Sequence, residues 1–169
     1  MILRKNIVLC GFMGSGKTTV GQILAKKLAV PFIDLDEYIV SREEMSIPEL
    51  FRKYAEQGFR DREHKAVLEV SRMQGVVISA GGGAMMFSRN SLPLGRTGEI
   101  VFLDVGFEEC YRRIAESNRP LVKSSSREQL FQLHETRREC YLALANHTIR
   151  TIGTPRETAS AIIRQLELK

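Results

Sequence analysis

The segment from Gly11 to Thr18 matches the phosphate-binding pattern G-x-x-x-x-G-K-[ST]. It follows an apolar run, residues 7–10, which predicts a buried strand leading into the loop. Glycines in such a turn let backbone N–H groups converge on phosphate oxygens, and the helix that begins there directs its positive dipole end at the same anion. Lys17 adds a positive charge, and the Thr18 hydroxyl can coordinate Mg²⁺. The pattern therefore predicts a nucleoside triphosphate site.

Two aspartates, Asp34 and Asp36, end a second predicted strand. Residues i and i+2 of a strand point the same way, so we expect both carboxylates to face one side of a cleft. A metal ion and a substrate hydroxyl would relieve their mutual repulsion, with one acid holding Mg²⁺ through water and the other accepting from the hydroxyl. The alternative is an acidic strand end that only caps the next helix. Asp104, after the fourth predicted strand, is a competing metal ligand.

Arg60 and Glu63 lie three residues apart on a predicted helix, where the carboxylate can hold the guanidinium in one orientation. A guanidinium pairs with a carboxylate or phosphate through two hydrogen bonds, which lysine does not reproduce. Phe51 and Phe59 can supply an apolar wall beside it. The triplet Gly81–Gly83, at the end of the third predicted strand, permits close approach to a ligand. A solvated helix face and an ordinary turn are the alternatives for these features.

The composition is that of one compact domain, residues 1–169, with 43% hydrophobic residues and no linker-like stretch. No apolar run approaches the ~20 residues of a membrane span, and nothing resembles a cleavable leader. Three separated cysteines without C-x-x-C argue against a disulfide framework and a zinc site, so we expect a cytosolic protein. The net charge of +5 is dispersed, so we expect anionic small ligands and no nucleic acid. No surplus apolar stripe indicates an oligomer, so a monomer is the default.

Strand and helix patterns alternate along the chain, which predicts a parallel sheet covered by helices on both faces, with ligands at the carboxyl ends of its strands. The predicted strands are 7–10, 31–34, 76–78, 100–103 and 147–151. The predicted helices are one after Lys17, one from Ser46 toward Gln57 that breaks at Gly58, and others over 59–73, 107–117, 127–145 and from Pro155 onward. Residues 118–126 read as a polar loop.

Taken together, the motifs resemble those of the shikimate kinase family over essentially the whole chain. They are Gly11–Thr18, Phe32-Ile-Asp-Leu-Asp-Glu37, Phe59-Arg60-x-x-Glu63, Gly81-Gly-Gly-Ala84, Arg119-Pro-Leu121 and Arg137-Arg-Glu-Cys-Tyr141. The phosphate loop is common to many enzymes, whereas the ordered combination is far more specific. The resemblance implies Mg²⁺-dependent transfer of the ATP γ-phosphoryl group to the 3-hydroxyl of shikimate in aromatic amino acid biosynthesis. It also implies a three-layer α/β/α P-loop NTPase fold of the nucleoside monophosphate kinase type, with five parallel strands in order 2-3-1-4-5.

The resemblance further implies roles on the nucleotide side. Lys17 would bind the β- and γ-phosphates, Thr18 would coordinate Mg²⁺, and Asp34 would reach the ion through water and take the hydroxyl proton. Arg119 would be the arginine of a lid, about residues 118–126, that closes over ATP. The implied ATP-binding set is Gly14, Ser15, Gly16, Lys17, Thr18, Thr19, Arg113, Arg119 and Pro155, with Arg113 and Pro155 flanking adenine and Arg112 as the alternative to Arg113.

On the acceptor side, the resemblance implies that Asp36 holds the shikimate hydroxyls and that Arg60 and Arg137 bind its carboxylate. Gly81, Gly82 and Gly83 would approach the ring. The family often has R-x-P-x-Y where this chain has Glu139 in place of proline, so the assignment of Arg137 is less secure than that of Arg60.

Other functions share the phosphate loop. A GTPase needs a guanine-reading N-K-x-D element, which the sequence lacks. A kinase of gluconate or of a nucleoside monophosphate does not predict F-R-x-x-E together with G-G-G. A non-catalytic ATP-binding scaffold does not require the intact lysine, hydroxyl and acid pair.

Overall fold

The computed structural model describes residues 3–150 and 153–168. Five strands form one parallel sheet in the order β2-β3-β1-β4-β5, which confirms the predicted order. The strands are β1 (Asn6–Cys10), β2 (Phe32–Asp34), β3 (Val77–Ser79), β4 (Gly98–Asp104) and β5 (His147–Arg150). Thr151, predicted to end the last strand, lies outside the described residues.

Eight α-helices connect and follow the strands within the described residues. They are α1 (Lys17–Leu28), α2 (Leu35–Glu43), α3 (Ile47–Ser71), α4 (Ser88–Thr97), α5 (Phe107–Ile114), α6 (Pro120–Ser124), α7 (Arg127–Leu144) and α8 (Pro155–Gln165). A single 3₁₀ turn, Ala84–Met86, follows the glycine triplet. Capping boxes stabilise the starts of α3, α7 and α8. No helix in the described part of the chain is both long and apolar enough to cross a bilayer.

The sheet divides the core into two layers, as the period-2 alternation of β1 requires. Ile7 and Leu9 face one layer, where they pack with buried residues of α1 and α8. Val8 and Cys10 face the other layer, with buried residues of α2, α3 and α4. A smaller cluster that includes Phe12 and Phe107 closes the carboxyl end of the sheet beside the phosphate loop. This arrangement is the predicted three-layer α/β/α fold.

The predicted break between two helical segments is present, but it lies at Ala55, three residues before the predicted position at Gly58. Helix α3 runs through Gly58, and its backbone departs from helical geometry at Ala55, where φ is 55° and ψ is −175°. Gly58 is small for a different reason, since a Cβ there would lie 2.5 Å from the Cβ of Tyr54. The kink at Ala55 thus folds Tyr54 back against the helix, and the glycine makes room for it.

Three helices were not predicted. Helix α2 follows directly from Asp34, and α4 contains Pro93, which disfavours a helical prediction. The predicted polar loop 118–126 contains the short α6. Of these, α2 and α6 carry residues of the candidate site, so their presence changes how that site is built.

Candidate functional site

The phosphate loop has the backbone that its glycines make possible. Gly14 and Gly16 have φ of 77° and 91°, in the region that L residues other than glycine rarely adopt. Lys17 Nζ donates to the carbonyl oxygens of Gly11 at 2.8 Å and Phe12 at 3.1 Å. Burial lowers the pKa of Lys17 to about 8. A phosphate chain would supply the negative charge that this buried ammonium lacks.

A cavity of about 490 Å³ opens above this loop. Arg113 lies on its wall and donates from Nη1 to the Gly14 carbonyl oxygen at 2.8 Å. Both Arg112 and Arg113 pair with Glu109, but Arg112 is absent from the cavity wall and 71% of its side chain is exposed, so the geometry favours Arg113 for the nucleotide. Ser15 lies buried beneath the loop, and its Oγ has no hydrogen-bond partner among the described residues. The cavity is lined by eleven other predicted site residues: Gly14, Gly16, Lys17, Thr18, Thr19, Asp34, Asp36, Gly81, Gly82, Arg119 and Pro155.

The paired aspartates reach this cavity by a geometry that strand alternation does not describe. Asp34 ends β2 and caps α2, its Oδ1 accepting from the backbone N–H groups of Asp36 and Glu37 at 3.0 and 3.2 Å. Its Oδ2 accepts from the Thr18 hydroxyl at 2.7 Å. Asp36 belongs to the first turn of α2, so the strand-based explanation of its direction is wrong. The helix cap that was the alternative for Asp34 coexists with its contact to the phosphate loop.

Asp36 lies in an electrostatically unusual place. Burial raises its pKa, and the neighbouring Asp34 carboxylate raises it further, while Lys17 and Arg119 act in the opposite direction. Its carboxylate approaches the glycine triplet so closely that a Cβ at Gly81 would lie 2.8 Å from its Oδ1. A carboxylate with this pKa shift is a better proton acceptor than an ordinary surface aspartate.

Asp104, the competing metal ligand, already forms an ion pair with Arg138. Its two oxygens accept from Nε and Nη2 of Arg138, each at 2.8 Å. This bidentate pair holds Arg138 on Asp104, whereas its neighbour Arg137 lines a second cavity, described below. One ion pair therefore favours Asp34 over Asp104 as the metal ligand and Arg137 over the adjacent Arg138 as the ligand-facing arginine.

A second cavity, of about 310 Å³, adjoins the first. Three guanidinium groups line it, and two of them, Arg60 and Arg137, approach the glycine triplet. Arg60 Nη1 donates to both oxygens of the buried Glu63 at 2.9 and 3.1 Å, as their helical spacing predicts. On the apolar side, the rings of Phe51 and Phe59 stack with centroids 4.4 Å apart. The cavity combines an apolar wall with a cationic end.

Arg137 is a buried cation without a matching anion. Its exposed fraction is 8%, and within the described residues it forms no ion pair. Burial lowers its pKa, and the nearby charge of Arg60 acts in the same direction. A ligand carboxylate between Arg60 and Arg137 would remove this cost.

The glycine triplet makes room for the polar side chains of the site. A Cβ at Gly82 would lie 3.1 Å from Nη1 of Arg137, and one at Gly83 would lie 2.9 Å from Nη2 of Arg60. The Tyr141 hydroxyl donates to the Gly82 carbonyl oxygen and fixes the segment to α7. The predicted role of close approach to a ligand is thus joined by a second one, because any side chain here would displace a guanidinium.

Arg119 and Asp36 line both cavities. Arg119 is the N-cap residue of α6, and the next residues of that helix, Pro120 and Leu121, lie against the second cavity. Met13, Ile47, Glu56 and Ser124 also line the second cavity and were not predicted as site residues. Their types recur throughout ordinary helices and loops, so no motif distinguishes them.

Comparison with known proteins relates this geometry to one family. The family model described as shikimate kinase matches residues 13–167. A shikimate kinase of Enterococcus faecalis is 38% identical over 167 residues, covering 96% of this chain and 99% of that protein. A shikimate kinase of Sulfurihydrogenibium is 39% identical over 166 residues, covering 98% of this chain and 97% of that protein.

Solved structures agree. The shikimate kinase of Acinetobacter baumannii in complex with shikimate superposes with a TM-score of 0.91 at 35% identity, covering 98% of this chain and 96% of that one. The shikimate kinase of Aquifex aeolicus gives a TM-score of 0.85 at 37% identity, covering 96% of each chain. Sequence and fold agree over nearly the full length, and we conclude that this chain belongs to the shikimate kinase family.

Proposed function

We propose that this protein transfers the γ-phosphoryl group of ATP to the 3-hydroxyl of shikimate, forming shikimate 3-phosphate for aromatic amino acid biosynthesis. The observation that carries the proposal is the pair of adjoining cavities, one above the phosphate loop and one between two arginines, with Asp36 and Arg119 on their shared wall. Phosphoryl transfer depends mainly on holding donor and acceptor in line and on stabilising charge. Two adjoining cavities of these chemistries support that arrangement.

In the first cavity, ATP lies with its phosphates on the loop and its adenine beside Arg113 and Pro155. The loop residues Gly14, Ser15 and Gly16 supply backbone N–H groups, Lys17 neutralises the β- and γ-phosphates, and the helix that begins at Lys17 directs its positive end at them. The remaining members of the nucleotide set are Thr18, Thr19 and Arg119.

Thr18 and Asp34 would hold Mg²⁺, Asp34 through water. The hydroxyl and the carboxylate lie 2.7 Å apart beside the phosphate loop, a sparse oxygen donor set that fits this ion. Mg²⁺ keeps several waters and takes one or two protein oxygens plus substrate phosphates. When bound, it neutralises charge on the β- and γ-phosphates.

In the second cavity, the shikimate carboxylate lies between Arg60 and Arg137, and its hydroxyls face Asp36 and the segment Gly81–Gly83. The geometry favours Asp36 over Asp34 as the acceptor of the hydroxyl proton. Both oxygens of Asp34 already accept hydrogen bonds, and Asp34 lines only the nucleotide cavity. Asp36 lines both cavities and has a raised pKa.

A coupled assay of ADP release tests the proposal. Shikimate, gluconate and nucleoside monophosphates are offered separately with ATP and Mg²⁺, against a control without acceptor. We expect turnover with shikimate far above the control. Preferred turnover of gluconate or a nucleoside monophosphate would instead show a kinase of another metabolite, and silence with every acceptor would show an ATP-binding scaffold.

Arg119 completes the transfer site from the lid, residues 118–126, when both substrates are bound. We expect Arg119→Ala to lower kcat about a hundredfold or more, with the shikimate dissociation constant changed less than about threefold, because the guanidinium acts on the migrating group. Rapid-quench measurement of the transfer step, with calorimetric titration of shikimate, separates the two effects. Lys123→Ala, in the same helix but on neither cavity wall, is the control. Wild-type turnover in Arg119→Ala would remove the lid role.

Arg60 binds the acceptor carboxylate through its planar guanidinium, which can donate two parallel hydrogen bonds. Arg60→Lys keeps the charge and loses the paired hydrogen bonds, so we expect shikimate binding to weaken by about 1.5–3 kcal/mol. Calorimetric titration measures this change directly. Arg62→Lys is a matched control on the same helix, because Arg62 contacts Glu43 and the Tyr54 ring outside both cavities. An unchanged dissociation constant in Arg60→Lys would return Arg60 to a purely structural role.

We also propose that the protein is a cytosolic monomer that binds no nucleic acid. The large hydrophobic side chains that are exposed in the described residues are spread over several elements, which supports a monomer. They are Val40, Phe87, Leu92, Leu121, Phe131 and Leu142. Light scattering during size-exclusion chromatography would measure the mass.

A further inference from the structure

Asn90, on α4, is a fully buried amide behind the acceptor cavity, with an exposed fraction of 0%. Its side chain reaches two other segments. Oδ1 lies 3.0 Å from Nδ1 of His64 on α3, and Nδ2 donates to the Ala84 carbonyl oxygen at 3.0 Å, directly after the glycine triplet. Nδ2 also lies 3.5 Å from Oε1 of Glu63, the carboxylate that holds Arg60.

These contacts allow one orientation of the amide. With Nδ2 toward Ala84 and Glu63, the amide hydrogens face two oxygen acceptors, whereas a flipped amide would place its oxygen against both. Oδ1 is then the acceptor for His64, so Nδ1 of His64 carries a proton. Every polar atom of this buried side chain has a partner, and together those partners connect α3, α4 and the segment after Gly83.

We propose that Asn90 is a positioning residue for the acceptor site, which fixes Glu63, and through it Arg60, relative to the glycine triplet. The inference rests on the proposed function, because its readout is shikimate. Asn90 lines neither cavity and so acts only through the groups it contacts.

Little free space surrounds the Arg60 guanidinium. Arg60 lies between Glu63 on one side and Gly83 on the other, where even a Cβ would come within 2.9 Å of its Nη2. A shift of α3 against the triplet segment would either press Arg60 into the backbone or withdraw it from the ligand. Asn90 opposes such a shift because it is bonded to side chains of α3 and to the backbone of Ala84.

The buried Glu63 carboxylate has a hydrogen-bond donor besides Arg60. Its exposed fraction is 2%, and burial raises its pKa, which disfavours the ionised form that holds Arg60. Arg60 opposes this effect, and the amide of Asn90 adds a further donor. Hydrogen bonds from Arg60 and Asn90 favour the charged form of this carboxylate, and the Asn90 contact does not depend on Arg60.

The test compares Asn90→Leu with a matched variant, Asn6→Leu. Asn6 is equally buried, at 1%, and bonds the Met73 carbonyl oxygen at 2.8 Å and the Val76 N–H at 3.2 Å, at the end of β1 away from the phosphate loop. Asn6→Leu removes a partner from two backbone groups, and Asn90→Leu removes one of the two donors to the Ala84 carbonyl oxygen as well as the acceptor for His64, so both are expected to lower the melting temperature. Only Asn90→Leu should raise KM for shikimate, by about tenfold, with kcat and KM for ATP within about threefold of wild type.

A double-mutant cycle with Glu63→Gln tests whether Asn90 affects shikimate binding through Glu63. If Asn90 acts through Glu63, the effects on shikimate KM are strongly non-additive, and additive effects would overturn the proposal. An unchanged KM in folded Asn90→Leu would also overturn it.

If Asn90→Leu does not fold, His64→Phe removes only the donor to Oδ1, and a rise in shikimate KM of about threefold supports the proposal while no change refutes it. A wild-type protein inactive on shikimate would instead refute the proposed function.

Discussion

Replacing Lys17 by methionine is expected to lower kcat for phosphoryl transfer about a thousandfold. The migrating phosphoryl group gains most of its stabilisation from fixed positive charge, and methionine fills a similar volume without that charge. Loss of one preorganised donor from a buried site accounts for an effect of this size. ATP binding should weaken less than transfer, because the backbone N–H groups of the loop and the start of α1 remain. Single-turnover kinetics at saturating ATP would separate transfer from binding.

Lys17→Met should also change how the free energy of unfolding depends on pH. Burial lowers the pKa of Lys17 from 10.5 to about 8, so below pH 8 the folded protein bears the full cost of the buried ammonium. As pH rises from about 8 to 10.5, the unfolded state holds more protons at this group than the folded state, and the free energy of unfolding increases. We expect wild type without nucleotide to show this gain relative to Lys17→Met, measured by urea denaturation at successive pH values.

Lys26→Met is the matched control, since Lys26 is an exposed residue in the last turn of the same helix. It removes the same charge and should leave both kcat and the pH dependence of stability unchanged. If Lys17→Met retained turnover within about tenfold of wild type, the phosphate loop would not act on the transferred group, and the kinase proposal would lose its electrostatic basis.

The nucleotide site is the part of the molecule that local sequence describes best. The loop from Gly11 to Thr18 depends on neighbouring residues only, so its strand, turn and helix follow from one short pattern. The glycine triplet, which the sequence predicts at the site, lines the second cavity. The sequence does not predict its steric role, because that role depends on contacts with Arg60 and Arg137, which lie on two helices far apart in the chain.

The kink in α3 shows where local reasoning fails. Sequence propensity favours a break at Gly58, whereas the chain bends at Ala55, a residue that intrinsically favours helix. Tyr54 packs against Gly58, and the Arg62 guanidinium lies 3.4 Å from the centroid of the Tyr54 ring. Tertiary packing thus overrides propensity. Asn90 is a similar case, because nothing in the sequence marks one asparagine as buried among three polar partners.

The direction of Asp36 also needed the fold. Strand alternation would direct both aspartates to one side, but the cap formed by Asp34 ends the strand and starts α2. The result places one carboxylate beside Thr18 and the other on the wall shared by the two cavities. This separation of positions is what gives the two acids different expected roles.

Asp36→Asn is expected to lower kcat by at least about a thousandfold while leaving the ATP dissociation constant within about twofold of wild type. The amide keeps the size of the side chain but accepts no proton and carries no charge to orient the acceptor hydroxyl. The phosphate loop is unaltered, so the nucleotide should still bind. Transfer is followed by ADP release and ATP binding by calorimetry. Glu37→Gln, an exposed neighbour on the same helix, removes one negative charge as a control.

Stability should change in the opposite sense to activity. Because burial raises the pKa of Asp36 above its unfolded value, the folded state binds this proton more tightly than the unfolded state. The free energy of unfolding therefore falls as pH rises from the unfolded pKa through the folded one, and at neutral pH the cost of the buried charge is fully present. Asp36→Asn removes that cost, so the inactive variant without ligands should be more stable than wild type at pH 7 and lose the advantage near pH 3. An Asp36→Asn protein that is less stable at pH 7, or still active, would show that this carboxylate is held by partners of its own and is not kept for the substrate.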